Sequence, residues 1–157
     1  MFHILCIIGF IIVFGYSIYT IIKEGRIPQS ISSTVYTLDE KNKWLFSFVM
    51  FCVAFMIVPQ LMEISVDHSR KYVWLMIVGL LGVGADPLRD GSKNIVHYVS
   101  AALCGFASQV VILLNQPQLL LLWALYVPYT LIYECSGKNM FFAEMIMMLS
   151  IAIFCLI

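Results

Sequence analysis

Six apolar runs, cut apart by charged and turn-forming residues, dominate this chain: 2–22, 44–63, 72–85, 95–114, 119–134 and 140–157. At about 1.5 Å per residue, most are long enough to cross a ~30 Å hydrocarbon core as helices. The pattern extends to the whole composition, which is 62% hydrophobic and 11% charged over 157 residues. A soluble domain carries about 45–50% apolar and about 25% charged residues. A core of this size cannot hide so much apolar surface from water, so lipid must solvate most of these side chains. The expected fold is all-α, a single polytopic transmembrane helix bundle over 1–157. Six spans are expected; the alternative is five plus a re-entrant segment at 72–85, which is short and ends in Gly79, Gly82 and Gly84.

The same arithmetic excludes several function classes. Nine Lys/Arg balance nine Asp/Glu without a block of like charge, so nucleic acid is not an expected partner. The run 2–22 has no basic residue before it, exceeds a signal-peptide core in length and precedes Lys23-Glu24-Gly25-Arg26 without a small-x-small site. It is expected to stay as the first span. The five cysteines are widely spaced in or beside apolar runs, without CxxC or Cys/His spacing. They read as small apolar packing residues.

Basic residues predict the orientation. The connections after spans one, three and five carry Lys23, Arg26, Lys41, Lys43, Arg89, Lys93 and Lys138, whereas the other side carries Arg70 and Lys71. The positive-inside rule places the first group in the cytoplasm and both termini outside a cell membrane. Span four is rich in small residues around Ser100, Ala101, Cys104 and Ser108, the composition that lets helix backbones approach in lipid. That face is expected to make helix contacts, including one between two copies of the chain. Pro128 is expected to kink span five.

Ionisable groups inside apolar runs are functional candidates because their insertion is costly. Glu144 lies more than one turn inside the sixth run, and His97, Asp86 and Glu134 sit at helix ends on the predicted cytoplasmic side. Those four reach one depth, and together could bind a metal or carry a proton. His97, Asp86 and Glu144 would be the metal ligands, without any cofactor being implied. The plainer reading makes Asp86, His97 and Glu134 interfacial residues in contact with headgroups. Tyr126, Tyr129, Thr130 and Tyr133 share one helical face that either lines a polar cleft or packs blandly. His97, Ala101, Cys104 and Ser108 would form a facing wall. The hydroxyl-rich connection from Pro28 to Thr37 reads as a short interfacial helix or a strand-like lid over the bundle. Its Ser30 and Ser33 are candidates for holding a phosphate or lipid headgroup.

Three motifs carry a resemblance: Pro28-Gln-Ser30-Ile-Ser32-Ser33-Thr34-Val-Tyr36, Gly82-Val-Gly84-Ala85-Asp86-Pro87, and His97-Tyr98-Val-Ser100-Ala101. In these the chain resembles small prokaryotic multi-span integral membrane proteins of uncharacterised function. The resemblance implies a membrane bundle and supplies no reaction. Membrane hydrolases related to alkaline ceramidase use a Ser, an Asp and several His. Here His3 and His68 fall on the face opposite His97, which departs from that pattern.

The first functional expectation is therefore a bundle that binds or passes a small ligand, ion or lipid through a cytoplasm-facing polar cleft, with membrane lipids as partners. The second is a small intramembrane enzyme acting on a lipid or prenyl substrate, with Glu144 or Asp86 and His97 in acid–base or metal roles. The third is a structural subunit of a membrane complex.

Overall fold

The structure, a computed structural model, describes residues 2–85, 95–132 and 139–157. The described residues are predominantly helical, without a strand among them. Three helices are long and apolar enough to cross a membrane. The first, α1 (Phe2–Glu24), ends where Gly25 adopts φ 65°, the left-handed conformation that closes a helix with least strain in glycine. The second, α2 (Lys43–Ile64), runs on through Pro59, which has no amide to offer the Phe55 carbonyl. After a short turn follow α3 (Arg70–Ala85) and α4 (Ile95–Asn115), the latter being the third long apolar helix.

The small residues of α3 and α4 explain how these two helices meet. A Cβ on Gly79 would lie 2.6 Å from the Cys104 backbone nitrogen and 2.7 Å from the Ser100 carbonyl oxygen. A Cβ on Gly82 would collide with the Ser100 hydroxyl. The two backbones are therefore nearly in contact, as dispersion-driven packing in lipid favours. The small-residue face of α4 is thus occupied by α3 of the same chain.

Residues 119–134 differ from the expected kinked span. Pro117–Leu125 is a nine-residue 3-10 helix, and only Tyr126–Ile132 is α-helical, forming α5. Pro128 stands in the first turn of α5, where a missing amide costs little, so it begins a helix instead of bending one. The three-residue repeat of the 3-10 segment aligns Trp123 with Tyr126, their rings 5.8 Å apart, and Tyr129 continues the row at 6.4 Å. Finally α6 (Asn139–Leu156) brings the apolar C-terminal run into the bundle.

Polar contacts at the two ends define the packing directions. At one end His3 lies against the Cys155 carbonyl at 3.2 Å. There too the Val66 amide donates to Asn115 Oδ1 at 2.8 Å, and Asn115 Nδ2 donates to the Ser69 hydroxyl at 3.0 Å. The α2–α3 turn is thereby tied to the end of α4. Between these ends α4 and α6 run in the same direction: Gln109 Nε2 reaches Ser150 Oγ at 3.4 Å, and Gly105 faces the Met147 sulfur. Phe46, Leu61, Val73 and Ile112 are among the fully buried core, whereas Ile11, Phe55, Trp74 and Phe106 remain exposed on the outside. Large apolar side chains on the outer surface suit a lipid environment.

Candidate functional site

The connection between α1 and α2 folds back as a lid across one end of the bundle. Residues Ser32–Thr37 form a 3-10 helix. Ser30 and Ser33 bond each other reciprocally: the Ser30 amide donates to Ser33 Oγ at 3.0 Å, and the Ser33 amide to Ser30 Oγ at 2.9 Å. Ser33 Oγ also donates to the Ser30 carbonyl at 2.8 Å. This is the logic of a capping box, with each hydroxyl covering an amide that would otherwise lack a partner. The donors that sequence reasoning offered to a phosphate are thus used within the lid.

Three contacts hold the lid down. Tyr16 Oη on α1 and Thr34 Oγ1 lie 2.8 Å apart and buried. On α6 the Phe141 amide donates to the Gln29 carbonyl at 2.9 Å. Beside it the Ile31 amide donates to Glu144 Oε2 at 2.5 Å. The carboxylate that stood out in the sixth apolar run therefore takes a backbone amide of the lid as its partner. A half-buried carboxylate among apolar side chains needs such a donor, because lipid offers none. Its second oxygen, Oε1, accepts from no described group.

Beneath the lid lies a half-open cavity of about 140 Å³ walled by α1, α2, α3, α4 and α6. Val13, Val53, Leu80, Cys104 and Ile151 each represent one helix in its wall, with Ile31 and Ser32 at the lid. On α2 the wall extends from Phe46 to Ile57, about 16 Å along the axis at 1.5 Å per residue. The wall is almost wholly apolar. Among its described residues Glu144 is the one carboxylate, and no Lys, Arg or His is present.

The other expected site residues are placed elsewhere or lie outside the described residues. Asp86, Glu134 and Tyr133 lie outside them. Ala101, Cys104 and Ser108 of α4 do line the cavity, but His97 does not. The contact of Gln109 with Ser150 sets an offset of 41 residues between the parallel helices. It places Glu144 level with residue 103, so His97 sits about 9 Å nearer the start of α4. His97 is buried edge-on against the Tyr98 ring at 5.8 Å. Among the described residues no three His, Cys, Asp or Glu side chains come together in a metal-holding group.

Of the two readings of the tyrosine face, cleft lining or packing, the described residues Tyr126 and Tyr129 follow the packing one. Tyr129 stacks on Phe142 of α6 with ring centroids 3.7 Å apart, and Trp123 Nε1 donates to Gln109 Oε1 at 2.8 Å. Among the described residues Tyr126 and Tyr129 form an aromatic seam between α5 and α6, outside the cavity wall.

Sequence reasoning missed Ile31, whose contribution is a main-chain amide, and the cavity-facing Met147 and Met148. It also missed Glu24, whose side chain is 8% exposed beside Arg26 at the foot of the lid, with Nε at 3.5 Å. Comparison of the chain with family models, curated proteins and solved structures returns no match. The chemistry of the site therefore rests on its own residues.

Proposed function

We propose that this chain is a multi-pass protein of the cell membrane that holds the apolar part of a lipid-like ligand inside the helix bundle, under the lid. The observation that carries this reading is the apolar cavity between the helices with one carboxylate at its lidded end. A cavity walled by aliphatic and thioether side chains stays dry and takes up apolar molecules. An ion or a polar solute would find one acceptor and no further charge in this wall, so the cleft suits a lipid better than an ion.

The six-span arrangement with both termini outside accompanies this reading. Nine residues of 3-10 helix followed by seven of α-helix extend about 28 Å at about 2.0 and 1.5 Å per residue. That length returns the chain across the bilayer between the parallel α4 and α6. The lid and its basic neighbours Lys23, Arg26, Lys41 and Lys43 then face the cytoplasm. A contact between copies would use the exposed rim of α4 at Ala102 and Phe106, because Ser100 and Cys104 already meet α3.

Native mass spectrometry of the full chain released from its membrane tests the reading. The wild type is expected to retain a bound lipid-like molecule. Val53→Phe, which fills the cavity from α2, should release it, and Phe55→Leu on the exposed face of the same helix should not. Equal retention by wild type and Val53→Phe would overturn the proposal.

A further inference from the structure

We infer that the ligand of this cavity is a cationic amphiphile, an apolar chain ending in an amine, with the ammonium group seated at Glu144. The inference rests on the cavity reading above and adds the chemistry of the headgroup.

The wall leaves few choices. A carboxylate accepts hydrogen bonds and donates none. The Ile31 amide occupies Oε2, and Oε1 has no described partner, so this end offers an ionisable acceptor and, among the described wall residues, no cation. An anionic head, whether carboxylate or phosphate, would meet like charge. It would find no Lys, Arg or His among the described wall residues to offset the repulsion. Nor does the lid supply an anion cradle, because Ser30 and Ser33 bond each other's amides. A hydroxyl head could donate one bond to Oε1 but would leave the carboxylate's charge uncompensated in apolar surroundings. An ammonium both donates and compensates, and charge-assisted hydrogen bonds are about twice as strong as neutral ones.

Geometry agrees with chemistry. Glu144 stands near the lidded end of the wall, and the apolar part continues past Cys104 and Ser108 to Ile57 and Ile151. One short alkyl chain fits along that axis with its head against the carboxylate and its tail among Val53, Leu80 and Ile151. Ser108 is a poor competitor for the head, because its neutral hydroxyl already donates to the Gly105 carbonyl at 2.7 Å and accepts from Gln109 Nε2 at 3.3 Å.

The test uses full-length protein in nanodiscs, titrated with n-hexylamine, 1-hexanol and hexanoate against empty nanodiscs. These share one chain length and differ in the head. Hexylamine is expected to bind at least about tenfold more tightly than hexanol, with hexanoate weakest. In Glu144→Gln the side-chain carbonyl still accepts from Ile31, while the amide group replaces the charged oxygen. The amine advantage should then fall below about threefold with hexanol binding unchanged. Val53→Phe should abolish all three. Equal affinities of wild type for the three heads, or a carboxylate preference, would overturn the headgroup assignment and leave the cavity standing. Failure of all three probes to bind above the empty nanodisc, or indifference to Val53→Phe, would overturn both. The wild-type ranking decides the headgroup assignment even if the Glu144 variant folds poorly.

Discussion

The Ile31 amide and the Glu144 carboxylate, 113 positions apart in the chain, form the hydrogen bond that fastens the lid to α6. An apolar residue supplies the donor and a residue from the last helix supplies the acceptor. Their bond joins the first connection of the bundle to its final helix. Removing the acceptor while keeping the fold should leave a main-chain amide without a partner, at about 1–3 kcal/mol. Glu144→Ala is therefore expected to lower thermal stability in detergent and to speed hydrogen exchange at the Ile31 amide. Glu144→Gln should leave that exchange nearly unchanged. Unaltered protection of Ile31 in the alanine variant would show that the carboxylate does not hold the lid.

A second fastening lies between Tyr16 and Thr34, 2.8 Å apart and buried. Tyr16→Phe deletes one hydroxyl and should cost about 0.5–1.5 kcal/mol. Because Arg26 is exposed at the foot of the lid, trypsin cleavage after Arg26 should accelerate in this variant relative to cleavage at Arg70. A cleavage ratio identical to that of the wild type would count against the lid's dependence on this bond.

Glycines at two places in the bundle should respond in opposite ways. At Gly79 a methyl group would meet backbone atoms of α4 at 2.6 and 2.7 Å, and backbone cannot swing aside. Gly79→Ala is thus expected to push α3 from α4 and destabilise by about 1–3 kcal/mol. Gly15 of α1 has nothing within 4 Å of the same position. Gly15→Ala should be neutral or stabilising by up to about 1 kcal/mol through helix propensity. Unfolding midpoints of the two variants in one detergent decide the matter.

The orientation has a direct readout. Lys41→Cys, exposed beside the lid, should react with an impermeant maleimide only after the cells are opened. Asp67→Cys, exposed in the α2–α3 turn at the other end, should react in intact cells. The reverse pattern would invert the assignment of both termini.

How far the sequence led can be judged element by element. Long apolar runs announce membrane helices because length and hydropathy are additive along the chain, so α1, α2 and α4 were legible within about two residues. Glu144 was legible for the same reason, as an exception inside such a run. Its partner was not, because a backbone amide has no residue type to mark it. The small residues of Ser100 and Cys104 showed that something approaches closely, but the approaching glycines of α3 emerge only from the fold. The Leu-rich stretch after Pro117 carries no periodicity that separates α from 3-10 geometry, and both place apolar side chains all round. The hydroxyls of Ser30 and Ser33 marked a structured lid correctly in type. Their bonding to each other is a local alternative that a one-dimensional pattern does not distinguish from ligand binding.

Synthesis proceeds from the N-terminus, which gives the bond between Ile31 and Glu144 a place in time as well as space. The lid is made right after the first helix, yet two of its three fastenings, at Phe141 and Glu144, belong to the last. During most of insertion the lid has, of these three bonds, the one to Tyr16, and the chamber lacks the wall that α6 provides. A nascent chain therefore has no complete compartment to offer a ligand, and the arrival of α6 completes the wall and latches the lid in one event.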